Sequence, residues 1–153
     1  MSSSERAPAL TRQERIERMR ARSWVLHILY QWESTDSRRS LEQVMEDTLQ
    51  RRRVAHGRVP FIRRHVEALA RHMVEVDRAI AGAMENWRLD RLPRVDRAVL
   101  RLSVAELLFM DDVPPKVGIQ EGIRLAGQYG GHDSSRFVNG VLDAVLRTLG
   151  APS

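Results

Sequence analysis

One uninterrupted rhythm restricts this chain more than any other feature. Ile62, Val66, Leu69, Met73, Val76, Ile80, Ala83 and Trp87 follow one another at alternating steps of four and three residues. That spacing puts them on one face of a helix of about seven turns. The seam would also suit a dimerising coiled coil, but it spans just over three heptads and has other amphipathic segments nearby, so packing within the chain is favoured. No segment shows convincing period-two alternation, and the fold is therefore expected to be all-α.

The other segments repeat the pattern. Residues 1–11, "MSSSERAPALT", have little to bury and read as a disordered start. In "RQERIERMRARSWVLHILYQWE", Ile16, Met19, Ser23, Leu26 and Tyr30 mark the expected buried face of a first helix. Arg12, Arg15, Arg18 and Arg22 form a basic arm on it, while Arg20 points elsewhere. After the polar break "STDSRRS", Ser40 and Gln43 make a capping-box pattern ahead of Leu41, Val44, Thr48 and Leu49, for a short helix ending near residues 51–53. Pro93 opens a helix with apolar groups on two sides, so this helix is expected to be central; its polar stripe holds Arg94, Arg97 and Arg101. Pro115 opens another through Ile119, Ile123 and Ala126, which fails at Gly130 and Gly131.

The last segment contains "RFVNGVLD", and Asn139-Gly140 would mark a hairpin if strands flanked it. Instead Val138, Val141, Leu142, Val145 and Leu149 keep the helical period, with Asp133 or Ser134 able to cap the start. Gly140 costs such a helix about 1 kcal/mol relative to alanine. A glycine held at that cost is expected to let another backbone come close.

At 153 residues and 42% hydrophobic composition, the chain suffices for one domain, possibly of two small lobes. It has no long uncharged apolar run and no secretory signal, so a soluble cytoplasmic protein with no membrane partner is expected. The lack of cysteine removes disulfides, thiolate zinc sites and a cysteine nucleophile. The net charge is +5, and Lys116 is the only lysine. Arginine's planar donor fork suits phosphate and stacks on bases, which points to nucleic acid. A coding preference that replaces lysine everywhere would give the same composition, so position along the chain has to decide.

Catalytic constellations are absent from the pattern. His65 and His72 are about 10 Å apart along a helix axis, too far to share a metal without further ligands, and they read as polar-face groups. "GGHDSS" lacks the lysine of a phosphate loop. Glu106, in a strongly apolar helix, reads as a structural ion pair or helix-end hydrogen bond rather than a catalytic acid. No enzyme activity, cofactor or metal is expected.

The blocks "LHILYQWE", "WRLDRLPRVDRAVLRLSVAELLF", "DVPPKVGIQEGIRLAGQYG" and "SSRFVNGVLDAVL" occur in this order. In that order they resemble the NusB transcription antitermination factors from about Arg18 to Leu146. The resemblance implies an all-α fold of two packed three-helix bundles with a connecting helix. Here that would be one domain over 12–150, divided near 12–88 and 89–150. It also implies a noncatalytic adaptor that, with the ribosomal protein NusE, binds single-stranded boxA RNA of nascent ribosomal transcripts. The adaptor would then help RNA polymerase and other Nus factors pass terminators.

Carried onto this chain, the implied RNA surface comprises Arg18, Arg20, Arg22, Tyr30, Asp90, Arg91, Arg94, Arg97, Arg101, Asp133, Ser134, Arg136, Phe137 and Asn139. Asp96 and Glu106 are the implied partner contacts. Arginines would hold phosphates, Tyr30 and Phe137 would stack bases, and Asp133, Ser134 and Asn139 would bond base edges. Plainer roles compete: Tyr30 and Phe137 as packing residues, the arm arginines as a solvated face paired with Glu14 and Glu17, and Asp133 as an N-cap. Gln120, Glu121, Gly122 and Gly127 depart from the family pattern, and the two extra glycines weaken that helix, so the NusE contact carries over less directly than the RNA surface. A homodimer stays open. The rival reading is the RNA-binding module found at the N-terminus of some ribosomal RNA cytosine methyltransferases, enzymes that need a further cofactor domain and catalytic cysteines.

Overall fold

The computed structural model describes residues 9–34 and 38–150. Most of the expected disordered start, and part of the polar break after the first helix, lie outside these residues. Six α-helices occur among them: α1 (Arg12–Ser34), α2 (Leu41–Arg51), α3 (Val59–Ala83), α4 (Arg94–Phe109), α5 (Pro115–Tyr129) and α6 (Ser134–Thr148). Short 3-10 turns precede α3 and α4, and no strand is present among the described residues. None of these helices is long and apolar enough to cross a membrane.

Local chemistry sets most of the boundaries. Thr11 and Glu14 exchange reciprocal hydrogen bonds ahead of α1. The Ser40–Gln43 capping box forms as read, with the Gln43 amide donating to Ser40 Oγ at 3.1 Å and the Ser40 amide to Gln43 Oε1 at 2.8 Å. Pro115 stands in the first turn of α5, where its missing amide hydrogen costs nothing. The chain leaves α5 at Gly130.

Helices α1, α2 and α3 pack on one another, and so do α4, α5 and α6; α4 also packs on α1 and α3. One hydrophobic core therefore runs through both groups. Helix α4 is central, as its two-sided apolar pattern requires: Val99, Leu100, Leu102 and Val104 are all buried. On α3 the predicted seam holds through Ile62, Val66, Leu69, Val76 and Ile80. It ends before Trp87, which lies beyond the helix and is exposed. The helix is kinked at His72, whose φ of −121° leaves the helical range while its ring stacks on Phe109.

Three expectations need correction. The face of α1 turned to the core is Ala21, Arg22, Val25, Leu26, Ile28 and Leu29; of the expected stripe Leu26 is buried there, whereas Tyr30 is exposed. Gly140 admits no neighbour: nothing lies within 4 Å of where its Cβ would be. A close approach, by side chains rather than by a backbone, occurs at Gly122, one of the glycines read as merely weakening α5, where a Cβ would fall 2.4 Å from Ser103 Oγ and 3.0 Å from a Leu142 methyl. His65, read as a polar-face group, is completely buried.

His65 belongs to a charged knot inside the core. Arg22 Nε donates to Glu106 Oε2 at 2.6 Å, Arg22 Nη2 donates to Glu106 Oε1 at 3.1 Å, and His65 Nε2 lies 2.9 Å from Glu106 Oε2. Glu121 approaches Arg22 at 3.6 Å, so α1, α3, α4 and α5 all contribute. Burial pushes the Glu106 carboxyl upward, but the hydrogen bond and charge of His65, then those of Arg22, outweigh it and hold the group below its ordinary value. A carboxylate whose folded value is depressed stabilises the fold above its unfolded value, and that contribution is lost as pH falls through the folded one.

Two stability predictions follow from these contacts. Glu106→Gln leaves buried Arg22 with only the more distant Glu121 as counter-charge and should cost roughly 3–5 kcal/mol in urea unfolding at neutral pH; its stability should also fall less steeply on acidification than that of the parent chain. Gly122→Val should cost about 1–3 kcal/mol by overpacking the α4–α5 contact. Gly140→Ala should instead gain up to about 1 kcal/mol. Equal effects at the two glycines would contradict the packing described.

Candidate nucleic-acid interface

The knot fixes the rotation of α1 and so decides which of its side chains meet solvent. With Arg22 turned inward, the opposite face carries Arg20, Trp24, His27 and Tyr30, spaced three or four residues apart. Tyr30 is 40% exposed, and Tyr129 at the end of α5 is 46% exposed. Between them lies a cleft of about 350 Å³ lined by Trp24, Leu26, His27, Tyr30, Val95 and Tyr129, with Ser23 at its edge. The Trp24 and His27 rings meet edge to face at 5.9 Å. A second groove, of about 270 Å³, shares Ser23, Trp24 and Tyr129 with the first and continues past Arg20. Burial, and after it the charge of Arg52, hold the His27 ring below its ordinary value.

The arginines divide into two groups. Arg18 is bound to Asp112 at 2.9 Å and lies over the Phe61 ring. Arg97 pairs with Glu33. Arg101 grips Asp77 through two hydrogen bonds of 2.9 and 3.1 Å and also reaches Glu33. By contrast, Arg20, Arg52, Arg91, Arg94 and Arg136 are exposed and face no carboxylate within ion-pair distance among the described residues. Arg94 donates to Ser34 Oγ at the end of α1, and the Arg52 guanidinium sits 5.4 Å from the centre of the Trp24 ring.

Several residues singled out in the sequence lie elsewhere than expected. Arg22 and Glu106 are buried in the core, where they bond each other rather than facing solvent. Asp96 is also buried and accepts a 2.6 Å hydrogen bond from Ser134 Oγ. The same Ser134 hydroxyl accepts from the Gly131 amide; buried and doubly engaged, it is unavailable to a base edge. Asp133 stands at the N-cap position of α6 without a side-chain capping bond, and it is exposed. Arg136 and Asn139 are exposed on α6, while Phe137 is half-buried and meets Trp87 at 6.2 Å. Asp90 is exposed and pairs with Arg88. Trp87, Asp90, Arg97 and Arg101 line a larger groove of about 710 Å³ with Trp32 and Glu33.

Trp24, His27, Arg52 and Tyr129 were not anticipated. The spacing of Arg20, Trp24, His27 and Tyr30 carried the signal, but the same helix offered a competing apolar stripe ending at Tyr30. Among the described residues, no three His, Asp or Glu side chains are placed to hold a metal ion.

Comparison with known proteins places this arrangement. The NusB family model matches residues 19–147. The transcription antitermination protein NusB of Myxococcus xanthus strain DK1622 is 38% identical over 137 residues, spanning 88% of this chain and 98% of that protein. That of Pseudothermotoga lettingae is 37% identical, spanning 86% and 92%. The solved structure of T. maritima NusB agrees with a TM-score of 0.76 at 36% identity, over 85% of this chain and 90% of that one. A crystal structure of the antitermination factors NusB and NusE in complex with dsRNA includes a chain that agrees with a TM-score of 0.74 at 27% identity, over 90% and 99%. The six-helix chain, with its exposed aromatic and arginine track, is a member of the NusB family of transcription antitermination proteins, noncatalytic RNA-binding adaptors.

Proposed function

We propose that this chain acts with NusE on single-stranded boxA RNA of nascent ribosomal transcripts, as an adaptor through which transcribing RNA polymerase and other Nus factors read through terminators. The N-terminal part of the single domain, about 12–88, supplies the α1 track, and the C-terminal part, about 89–150, supplies α4 and α6. The observation that carries the reading is the separation of free from neutralised arginines. Arg20, Arg91, Arg94 and Arg136 are exposed without an acidic partner among the described residues, so phosphates can reach them, and the Tyr30 ring is exposed as well. Counterion release at such groups gives affinity without sequence information. Selectivity falls to stacking on Tyr30 and Phe137 and to base-edge bonds from Asn139 and Asp133.

NusE as partner is supported by the related NusB–NusE–RNA structure. Asp96 and Glu106 are buried in the isolated chain, which favours exposed groups as the carriers of that contact. In fluorescence anisotropy with boxA RNA and a scrambled control, the chain alone should bind weakly and lose affinity steeply with added salt, and NusE should raise affinity and preference for boxA. Arg20→Ala should weaken binding to both RNAs alike and flatten the salt dependence by about one phosphate contact. Equal affinity for boxA and scrambled RNA in the presence of NusE would overturn the specificity, and an unchanged salt slope in the Arg20 variant would remove Arg20 from the interface.

A further inference from the structure

We propose that the cleft between α1, the start of α4 and the end of α5 receives one nucleobase, unstacked from a single-stranded RNA whose phosphates follow Arg20, Arg52 and Arg94. The inference rests on the RNA-binding reading above and makes it specific. The lining is neutral throughout: Trp24, His27, Tyr30 and Tyr129 supply rings, while Leu26 and Val95 close the floor. No carboxylate borders it. Its volume of about 350 Å³ lies at the small end of ligand pockets, which span about 300–1,000 Å³.

The chemistry of the rim identifies the occupant. An uncharged apolar ligand would leave the surrounding cations without a role, and an isolated anion would find no cation inside the slot. Alternating flat neutral rings and phosphates match what is present, a ring-lined slot bounded by unpaired guanidinium groups. Arg20 borders the groove that opens from the slot on one side, and Arg52 covers Trp24. Arg94 sits at Ser34, fourteen positions along α1 from Arg20, or roughly 21 Å at the helical rise, enough for several nucleotides. Polar atoms at the slot are Ser23 Oγ, the two tyrosine hydroxyls and the imidazole of His27. They can bond a base edge while the rings hold its faces. Fully paired RNA has no base to offer, so the slot favours single strands over duplex.

Tyr129 is the residue to vary, because it is exposed and its loss removes one wall without opening the core. Affinity for fluorescein-labelled single-stranded boxA RNA and for its fully paired duplex would be measured by anisotropy on the full chain with NusE. Tyr129→Ala should weaken single-strand binding roughly fivefold to hundredfold, Tyr129→Phe should keep most of it, and duplex binding should be weaker and insensitive to either change. A scan of abasic substitutions should find one position where the parent chain and Tyr129→Ala bind equally. Thermal unfolding of Tyr129→Ala should match the parent. If Tyr129→Ala binds as the parent does while Arg20→Ala and Tyr30→Ala are weakened, RNA binding stands and the base slot is wrong. If the parent chain binds no RNA, both readings fall.

Discussion

The buried contact of Arg22 with Glu106 and His65 decides what this molecule can show to a partner. Removing three polar groups from water is costly, and their mutual bonds offset that cost only in one geometry. Because the groups come from α1, α3 and α4, that geometry also sets the rotation of α1 about its own axis. Residues two apart on a helix face about 200° away from each other. Turning Arg22 inward therefore turns Arg20 outward, and Trp24, His27 and Tyr30 follow it on the solvent side.

The same constraint explains why arginine content alone says little about the interface. Arg18, Arg22, Arg97 and Arg101 are each paired with a carboxylate of the chain. All four anchor contacts between segments far apart in sequence: Arg18 at the α4–α5 loop, Arg22 in the core, Arg97 at Glu33 near the end of α1, and Arg101 between α3 and α4. They hold the scaffold on which the unpaired arginines stand. Asp96 plays a comparable part at the other end, fixing Ser134 and through it the start of α6.

Helices, caps and the central place of α4 were legible because they depend on local rules: a 3.6-residue period, a Ser40–Gln43 box, a proline in the first turn of α5. The face of α1 was not, since two stripes on that helix satisfy the same period and the choice between them is made by Glu106, 84 residues away. The glycines make the same point from the opposite direction. Gly140 costs helix stability and has open space around it, whereas Gly122 seats α5 against Ser103 and Leu142. A glycine's cost to a helix can be read from sequence, but the space around it belongs to the packed structure. The family blocks pointed to α1, α4 and α6 as carriers of the proposed site, yet they could not separate an exposed Arg20 from a buried Arg22, or an exposed Asn139 from an engaged Ser134.

The division between neutralised and free charge also bears on affinity. An arginine already bound to a carboxylate must give up that bond before it gains a phosphate, so the exchange yields little net attraction. Arg20, Arg52, Arg94 and Arg136 face no such exchange, and each can displace counterions from a polyanion directly. Charge of this kind draws any RNA to the surface. Discrimination must come from groups that ignore phosphate, and in the proposed interface those are the rings of Trp24, His27, Tyr30 and Tyr129, with Phe137 beyond them. Stability and recognition thus use separate residues of one helix. A change at Arg22 should act through folding, and a change at Arg20 or Tyr30 through binding, although all three lie within three turns of α1.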